Sequence, residues 1–339
     1  MRAPVKAFVV TGPGEAGVQD LEPPTAGPGD VVVDVARAGV CGTDVEFFTG
    51  EMQYLHDGFA AYPMRLGHEW SGTVTAVGDG VGAGWLGRRV TGDTMLGCGA
   101  CHRCRSGRQH VCAARTELGI RGGRAGALAE RVAVPASALH ALPDEVDDAL
   151  GALVEPGGNA LRAVRGADVH PGGRVLILGP GTIGLLAAMF ARAAGAEVHL
   201  LGVEPRSLEF ARSLGFAGVW RQADTPDLPW DAVVDASNAS RLPATALDLV
   251  EPGGRVVCIG LAGSPSLVDT RTIALKDVTV VGVLSASPGL AATIEAYARG
   301  DVDPRPLVAA TLRLDDLAPV LAGERPVGAG PGPKIHVAI

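Results

Sequence analysis

Four cysteines stand close together near residue 100 of the 339-residue chain. They follow the pattern C-x2-C-x2-C-x7-C and are Cys98, Cys101, Cys104 and Cys112. Two-residue gaps let successive thiolates converge on one tetrahedral ion, which is the ligand pattern of structural zinc. Disulfides would need an oxidising compartment, which nothing in the sequence supports, and a redox C-x-x-C pair needs two cysteines rather than four. We therefore predict a structural zinc site in residues 98–112, with His102 outside the ligand set.

A second set of metal-ligand side chains is divided among three short segments. The segment G-V-C-G-T-D contains Cys41, G-H-E-W-S-G contains His68 and Glu69, and V-E-P contains Glu155. Thiolate, imidazole and carboxylate are the three ligand types that zinc accepts. Each residue alone has an ordinary structural explanation, because a buried cysteine usually packs as a small hydrophobic side chain. Together they predict a second candidate zinc site.

A glycine-rich turn follows an apolar run at residues 175–178 and precedes an apolar helical run. The turn reads Gly179-Pro180-Gly181-Thr182-Ile183-Gly184. In the pattern G-x-G-x-x-G, the first glycine permits a tight turn and the second lets the backbone approach a pyrophosphate. The third lets the helix and the strand pack closely, and the helix N-terminus offers free N–H groups to an anion. The context predicts a dinucleotide site, and the alternative is an ordinary turn between strand and helix.

The end of the next predicted strand bears on the choice between NAD and NADP. An NAD site usually has an acidic residue about 20 residues beyond the glycine motif, but this chain has Gly202 there. Glycine leaves room for a 2′-phosphate, with which Arg206 or Arg221 could pair. Glu204 acts in the opposite sense, because its carboxylate could bind a ribose hydroxyl and would repel a phosphate. On balance the sequence favours NADP slightly.

Three regions of the chain position these residues. Residues 1–150 contain short β-rich runs separated by Gly/Pro turns, which indicates a mostly antiparallel β domain. Residues 151–287 alternate apolar strands with helices, which predicts a doubly wound parallel sheet with helices on both faces. Residues 288–339 contain one helical run and a β-like run at 334–338, and we expect this short segment to pack back onto the first region. The predicted fold class is α/β.

The composition restricts the partners. The 29 Lys+Arg and 37 Asp+Glu residues give a formal net charge of −8, and the hydrophobic fraction of 47% excludes a disordered chain. No basic stripe is present that would neutralise a nucleic-acid backbone or hold an anionic membrane. The longest uncharged stretch, residues 175–191, is interrupted by glycine and proline, and a spanning helix needs about 20 apolar residues. We expect a cytoplasmic protein with neither a nucleic-acid nor a membrane partner.

Taken together, these motifs resemble the zinc-dependent medium-chain dehydrogenase/reductase family, which includes alcohol, sorbitol, threonine and glucose dehydrogenases. The motifs that carry the resemblance are G-V-C-G-T-D at 39–44, G-H-E-W-S-G at 67–72, the four-cysteine segment, V-E-P at 154–156 and G-P-G-T-I-G at 179–184. The resemblance covers essentially the whole chain. It implies a GroES-like catalytic domain, a Rossmann domain, and an active site in the cleft between them.

The resemblance also implies roles for individual residues. Cys41, His68 and Glu155 match the ligands of a catalytic zinc, and Glu69 matches the adjacent ligand that sometimes exchanges. The glutamate at 155 is typical of the polyol and sugar branch rather than the ethanol branch. Asp44 matches the carboxylate that orients the zinc-binding histidine and so fixes its tautomer.

The path of the substrate proton is less fully specified. By resemblance, Thr43 provides the hydroxyl that passes this proton. Five residues after Cys41, where the family often has a relay histidine, this chain has Glu46, as in the glucose dehydrogenase branch. Glu46, the cofactor ribose and water therefore remain as alternative routes for the proton.

The implied activity is hydride transfer between NAD(P) and a secondary alcohol or ketone of a polyol, sugar or cyclitol. We expect one catalytic and one structural zinc per chain, a small-molecule alcohol or carbonyl substrate, and a homodimer or homotetramer. One alternative is a zinc-independent quinone- or enoyl-type reductase of the same superfamily, which usually lacks the C-G-T-D and G-H-E ligands. The other is a non-catalytic nucleotide-binding relative, which would have lost at least one of Cys41, Thr43, His68 and Glu155.

Overall fold

The structure is a computed structural model that describes residues 3–339. Its first elements are β1 (Val5–Gly12), β2 (Glu15–Leu21), β3 (Asp30–Val40), α1 (Gly42–Thr49), α2 (Gln53–His56), β4 (Met64–Arg65), β5 (Glu69–Val77), β6 (Arg89–Gly92), β7 (Met95–Leu96), α3 (His102–Arg105), β8 (Thr116–Glu117), β9 (Arg131–Pro135) and β10 (Leu139–Ala141). The middle of the chain contains α4 (Asp148–Ala152), α5 (Val154–Gly166), β11 (Arg174–Leu178), α6 (Thr182–Ala193), β12 (Glu197–Gly202), α7 (Pro205–Ser213), β13 (Gly218–Arg221), β14 (Trp230–Asp235), α8 (Leu242–Leu249), β15 (Val250–Cys258), α9 (Thr270–Leu275) and β16 (Thr279–Gly282). The last elements are α10 (Leu290–Ala298), β17 (Val308–Arg313), α11 (Leu317–Leu321) and β18 (Lys334–Ala338).

The first part of the chain forms mostly antiparallel sheets. The largest has seven strands in the order β10-β6-β5-β3-β18-β17, with β9 also pairing with β3. In β9 buried and half-buried residues alternate, which is the two-residue period of a strand with one face in the core. The last strand, β18, runs antiparallel to β3 and places His336 opposite Gly39. The C-terminal strand therefore lies directly beside the strand that ends just before Cys41.

The middle of the chain forms a six-stranded sheet in which all paired strands are parallel. Its spatial order is β13-β12-β11-β14-β15-β16, which in chain order is the 3-2-1-4-5-6 arrangement of a doubly wound sheet. The central strand β11 is apolar from Val175 to Leu178 and fully buried there, as expected for a strand covered on both faces. The order reverses between β11 and β14, and ligands bind at the carboxyl ends of strands at such a point. The predicted α/β fold class is confirmed.

Helix α5 carries one of the candidate ligands. From the sequence alone V-E-P at 154–156 is assigned to no helix, and α5 begins at Val154. Pro156 lies in the first turn of the helix, where its missing N–H breaks no helical hydrogen bond. A Cβ on Gly157 would overlap the hydroxyl of Tyr297 on α10, so this glycine permits the close packing of α10 on α5. Glu155 is therefore held in the first turn of a buried helix.

The C-terminal part of the chain contacts both halves of the molecule. Helix α10 packs in the same hydrophobic core as α5 and α6, through buried side chains such as Leu290 and Ile294. Strands β17 and β18, by contrast, complete the large antiparallel sheet. Across residues 3–339, no helix combines the length and the apolar character that crossing a bilayer requires.

Candidate active site and metal centres

The four cysteines predicted to bind metal converge in the structure. Their sulfur atoms all lie within 4.8 Å of one another, and the Sγ–Sγ distances include 3.5 Å (Cys101–Cys104), 3.8 Å (Cys101–Cys112) and 4.0 Å (Cys98–Cys104). With a Zn–S bond of about 2.3 Å, a tetrahedral site has sulfur–sulfur edges of about 3.8 Å. The separations therefore match those around one zinc ion. The neighbouring His102 is not part of the group.

The local backbone explains how this cluster forms. Cys101 is the N-cap of the short helix α3, and its sulfur accepts the N–H of Cys104 at 3.5 Å. Gly99 has a left-handed φ of 71°, a conformation that glycine adopts at no steric cost. A Cβ on Gly97 would lie 2.6 Å from the sulfur of Cys104. Glycine at these two positions therefore permits both the turn and the close approach of the chain to the sulfur cluster.

A second cluster brings together Cys41, His68 and Glu69, with one ligand atom of each within 4.8 Å of the others. Cys41 follows β3 and is the N-cap of α1, whereas Glu69 begins the neighbouring strand β5. The antiparallel register sets Gly39 opposite Glu69. A Cβ on Gly39 would overlap the Glu69 carboxylate, so the absence of a side chain there makes room for that group.

Asp44 joins the two segments that carry these side chains. Its Oδ2 accepts the N–H of Cys41 at 2.8 Å and its Oδ1 accepts the N–H of Gly67 at 3.3 Å. The same Oδ1 lies 3.7 Å from Nδ1 of His68. The side chain is completely buried, and burial raises the pKa of this carboxyl above its ordinary value. Asp44 therefore fixes the segment before His68 against the N-terminus of α1.

Lys334, which the sequence analysis did not identify as a site residue, forms a buried ion pair with Glu69. Its Nζ lies 2.7 and 2.8 Å from the two carboxylate oxygens, and it also donates to the carbonyl oxygen of Val40 at 2.9 Å. Burial disfavours the ammonium, but Glu69, together with Cys41 and Asp44, outweighs that effect and the pKa of Lys334 is raised. The available signal was a lysine at the start of the final strand, in a chain with only three lysines.

Glu155 lies near the second cluster but outside the group of three donors. Its Oε1 accepts the side-chain amide of Asn159, one helical turn later, at 2.9 Å. Burial raises the pKa of Glu155 to about 7, although the nearby His68 acts to lower it. The resemblance implies Glu155 as a ligand and Glu69 as the adjacent ligand that sometimes exchanges. In the structure Glu69 is grouped with Cys41 and His68, whereas Glu155 lies outside that group.

The residues of α1 predicted to move protons occupy successive turns of that helix. The hydroxyl oxygen of Thr43 lies 3.9 Å from the sulfur of Cys41. Glu46 is exposed, but partial desolvation, together with the nearby Glu51, raises the pKa of its carboxyl. No hydrogen bond between Thr43 and Glu46 occurs in the described part of the chain.

The glycine motif has the predicted strand–turn–helix context. Gly179 directly follows β11 with a left-handed φ of 96°, and Gly181 is the N-cap of α6. A Cβ on Gly184 would overlap the carbonyl oxygen of Gly179, so only glycine lets the helix approach the strand this closely. The turn opens on a cleft of about 580 Å³, which Gly42 also lines. Of the motif, Gly179, Pro180 and Gly181 line this cleft, whereas Thr182 and Ile183 do not.

The residues considered for cofactor choice line two adjoining cavities. Gly202 lines the cleft, Glu204 lines both the cleft and the adjoining cavity, and Arg206 lines only the adjoining cavity, together with Arg325. The carboxylate of Glu204 caps helix α7 by accepting the N–H groups of Arg206 at 3.0 Å and Ser207 at 2.6 Å. These bonds lower the pKa of Glu204. The N-terminus of α7 is therefore already occupied by a carboxylate of the chain itself.

Comparison with known proteins agrees with this geometry. The chain matches the family models for the alcohol dehydrogenase GroES-like domain over residues 27–144 and for zinc-binding dehydrogenase over residues 182–299. An L-threonine 3-dehydrogenase of Rhizobium etli is 30% identical over 329 residues, which cover 92% of this chain and 93% of that protein.

Two solved structures are similar over the full length of both chains. One is a short chain alcohol dehydrogenase of Escherichia coli in complex with NADH, with a TM-score of 0.91, 25% identity and 100% coverage of each chain. The other is a zinc-binding dehydrogenase of Sinorhizobium meliloti bound to NADP, with a TM-score of 0.89, 27% identity and 100% coverage of each chain.

The doubly wound sheet, its glycine motif and these matches define an NAD(P)-dependent alcohol dehydrogenase that uses zinc. More particularly, the chain belongs to the zinc-type medium-chain dehydrogenase/reductase family. The resemblance drawn from the sequence motifs is confirmed, as is the expectation of a GroES-like domain combined with a Rossmann domain.

Proposed function

We propose that this dehydrogenase transfers a hydride between NAD(P) and a secondary alcohol or ketone of a polyol, sugar or cyclitol. The observation that carries the proposal is the position of Gly42. This residue lies between Cys41 and Thr43 and also lines the nucleotide cleft. The candidate metal ligands and the candidate proton-transfer hydroxyl therefore stand beside the space for the cofactor, as direct hydride transfer requires.

The donor set of the second cluster fits zinc, because thiolate, imidazole and carboxylate are its usual protein ligands. We propose Cys41 and His68 as constant ligands and Glu69 and Glu155 as ligands that exchange. Zinc bound there supplies Lewis-acid polarisation of the substrate oxygen. The contact with Lys334 supports an exchange, because its ammonium binds both oxygens of Glu69 and can hold that carboxylate while Glu155 is the ligand.

The chain's own groups would then handle the proton. In oxidation the Thr43 hydroxyl would accept the proton of the substrate hydroxyl while it passes its own proton to an outer acceptor, and in reduction the same relay would run in reverse. Asp44 positions the segment that carries His68 and so fixes the orientation of its ring. We propose Glu46 as the outer proton acceptor, because its raised pKa, due first to partial desolvation, gives it a higher affinity for a proton than an ordinary glutamate has.

The four-cysteine cluster would hold a second, structural zinc. Four thiolates form a closed site with no open position for a substrate. The sulfur separations of 3.5–4.0 Å support this assignment. We therefore propose two zinc ions per chain, which a zinc-independent reductase of the same superfamily would not bind.

We propose that NAD, rather than the NADP favoured slightly by the sequence, is the preferred cofactor. The carboxylate of Glu204 takes up the N–H groups of α7 that a 2′-phosphate would otherwise bind, and like charges repel. Arg206, on which the NADP interpretation depends, lines only the cavity that adjoins the cleft, whereas Glu204 lines both. The test is kcat/KM for both nicotinamides. We expect Glu204→Ala to raise the NADP value several-fold and Arg206→Ala to leave it unchanged; the reverse pattern would restore the NADP interpretation.

A substrate panel with zinc analysis tests the main proposal. The panel contains polyols, sugars, cyclitols and simple alcohols, together with L-threonine, the substrate named for the relative from Rhizobium etli. Cys41→Ser should lose one zinc per chain and nearly all activity on the best substrate. The matched control is Cys258→Ser, which removes a cysteine outside both clusters. Full turnover by Cys41→Ser with one zinc per chain would exclude the assigned role, and turnover of L-threonine alone would replace the proposed substrate class.

The remaining sequence expectations also stand as proposals. We propose a catalytic domain over residues 1–150, a nucleotide-binding domain over residues 151–287, and a C-terminal segment over residues 288–339 that belongs with the first. The pairing of β18 with β3 supports the last of these, whereas the packing of α10 on α5 links the same segment to the second domain. A homodimer or homotetramer is the proposed assembly.

A further inference from the structure

A cavity outside the nucleotide cleft has an unusually one-sided charge. It has a volume of about 280 Å³ and lies between β1 and β2, residues 60–65, and the turn at residues 120–125. Three arginines line it, Arg65, Arg121 and Arg124, together with the amide side chain of Gln19. No aspartate or glutamate of the described chain lines the cavity, although the protein as a whole has a formal net charge of −8.

Arg65 is a shielded cation of this cavity, and its position in the fold needs an explanation. It ends β4, paired with Val9 of β1, and its Nε is shielded from solvent without a hydrogen-bond partner. It takes part in none of the ion pairs of the described residues. Burial lowers the pKa of this guanidinium to about 10. Because buried charges in proteins are normally paired, the fold leaves a largely buried cation that lacks an anionic partner.

The other two arginines complete a positively charged wall. The guanidinium of Arg121 stacks over the ring of Phe59, 3.8 Å from its centroid, a contact that fixes the cation without neutralising its charge. The turn that follows contains Gly122 and Gly123, both with left-handed φ near 70°, and Gly122 donates its N–H to the carbonyl of Phe59 at 3.0 Å. This turn carries Arg124 to the rim of the cavity.

We propose that this cavity binds a doubly charged tetrahedral oxyanion, namely phosphate, either as the free ion or as the end group of a phosphomonoester. Guanidinium groups bind such oxyanions with two parallel hydrogen bonds each, and three arginines here line one space that no carboxylate residue of the described chain lines. The cavity shares none of its lining residues with the nucleotide cleft. The site is therefore distinct from the one that holds the cofactor.

Binding is measured by calorimetry and thermal shift on the full-length, zinc-loaded protein with saturating NAD, so that the nucleotide cleft is filled. The probes are inorganic phosphate and glycerol phosphate, each compared with chloride at equal ionic strength. We expect saturable binding that Arg65→Met and Arg124→Met weaken about tenfold or more, as the loss of a charge-assisted hydrogen bond does. Arg165→Met, an exposed arginine of α5 outside the cavity, is the matched control and should bind as the wild type does.

The use of both Arg65→Met and Arg124→Met keeps the proposal testable even if one variant does not fold. If Arg65→Met does not fold, the exposed Arg124 still gives a variant that retains the core. Tighter binding of glycerol phosphate would identify a phosphomonoester as the source of the anion, and tighter binding of inorganic phosphate would identify the free ion. Phosphate that stabilises the protein no more than chloride, or binds Arg124→Met as tightly as the wild type, would overturn the proposal.

Discussion

Replacing Lys334 by methionine tests whether its ion pair with Glu69 holds the candidate active site together. The two side chains are only 3% and 2% exposed, and Nζ lies 2.7 Å from the nearer carboxylate oxygen. Methionine keeps the length and apolar surface of the lysine but removes its charge. Glu69 is then left as a buried carboxylate without its cation. Breaking a buried pair in this way costs about 3–5 kcal/mol.

The expected loss is large enough to measure by two independent methods. At roughly 2 °C per kcal/mol for a chain of this size, Lys334→Met should lower Tm by about 6–10 °C, and urea unfolding should show the same change in free energy. The control is Lys6→Met, because Lys6 is exposed and surface substitutions usually stay within about 0.5 kcal/mol. The double variant Glu69→Gln/Lys334→Met should recover much of the loss, since neither buried charge remains.

Two results would refute this reasoning. If Lys334→Met is within about 1 kcal/mol of Lys6→Met, the ion pair contributes no more than a surface contact does. If the effects of Glu69→Gln and Lys334→Met are simply additive in the double variant, the two side chains are not energetically coupled. Either result would also remove the support that Lys334 gives to an exchange of carboxylate ligands.

Three further outcomes follow from the described contacts. Cys101→Ser should lose one zinc per chain and melt at a lower temperature, because binding energy at a structural zinc site is folding energy; unchanged zinc content would contradict this. Burial raises the pKa of Glu155 from 4.5 to about 7, so its contribution to the stability of the zinc-free protein is complete below about pH 4.5 and is lost as pH rises through about 7. Glu155→Gln should abolish this pH dependence of stability, which denaturation at a series of pH values measures. An identical stability profile for the variant and the wild type would argue against the role of Glu155. Gly157→Ala should lower the free energy of unfolding by about 1–3 kcal/mol, because the new methyl group would overpack against Tyr297. The control Gly84→Ala, whose methyl group would meet only open space, should change it little. Equal urea midpoints for the two variants would exclude the overlap.

The sequence is most informative where the chemistry is local. The four cysteines lie within 15 residues of one another, so their spacing alone limits where the sulfur atoms can lie. The glycine motif is similarly self-contained, because strand, turn and helix follow each other directly. For Cys41 and His68 the residue types suggest a site, but their roles as ligands come from the resemblance to a family, since nothing in their spacing shows that β3 and β5 are neighbours.

The cofactor residues show that a short segment does not fix the direction of each of its side chains. From the sequence, Arg206 is a reasonable partner for a phosphate, since it follows the strand that ends at Gly202. Its direction depends on where helix α7 begins, and Pro205 occupies the first position of that helix. The carboxylate of Glu204 is thereby placed as the cap, and the side chain of Arg206 lines the neighbouring cavity. A shift of one residue in the helix start would exchange these roles, and sequence patterns do not locate helix ends that precisely.

Lys334 lies beyond the reach of local patterns altogether, because 265 residues separate it from Glu69. A lysine in a strand is ordinarily solvent-exposed, and only the pairing of β18 with β3 turns this one inward, beside the opening that Gly39 leaves for the Glu69 carboxylate. A side chain at position 39 would therefore displace that carboxylate from both Lys334 and Cys41. The candidate site thus depends on a glycine from β3, a glutamate from β5 and a lysine from the last strand, which only the completed sheet brings together.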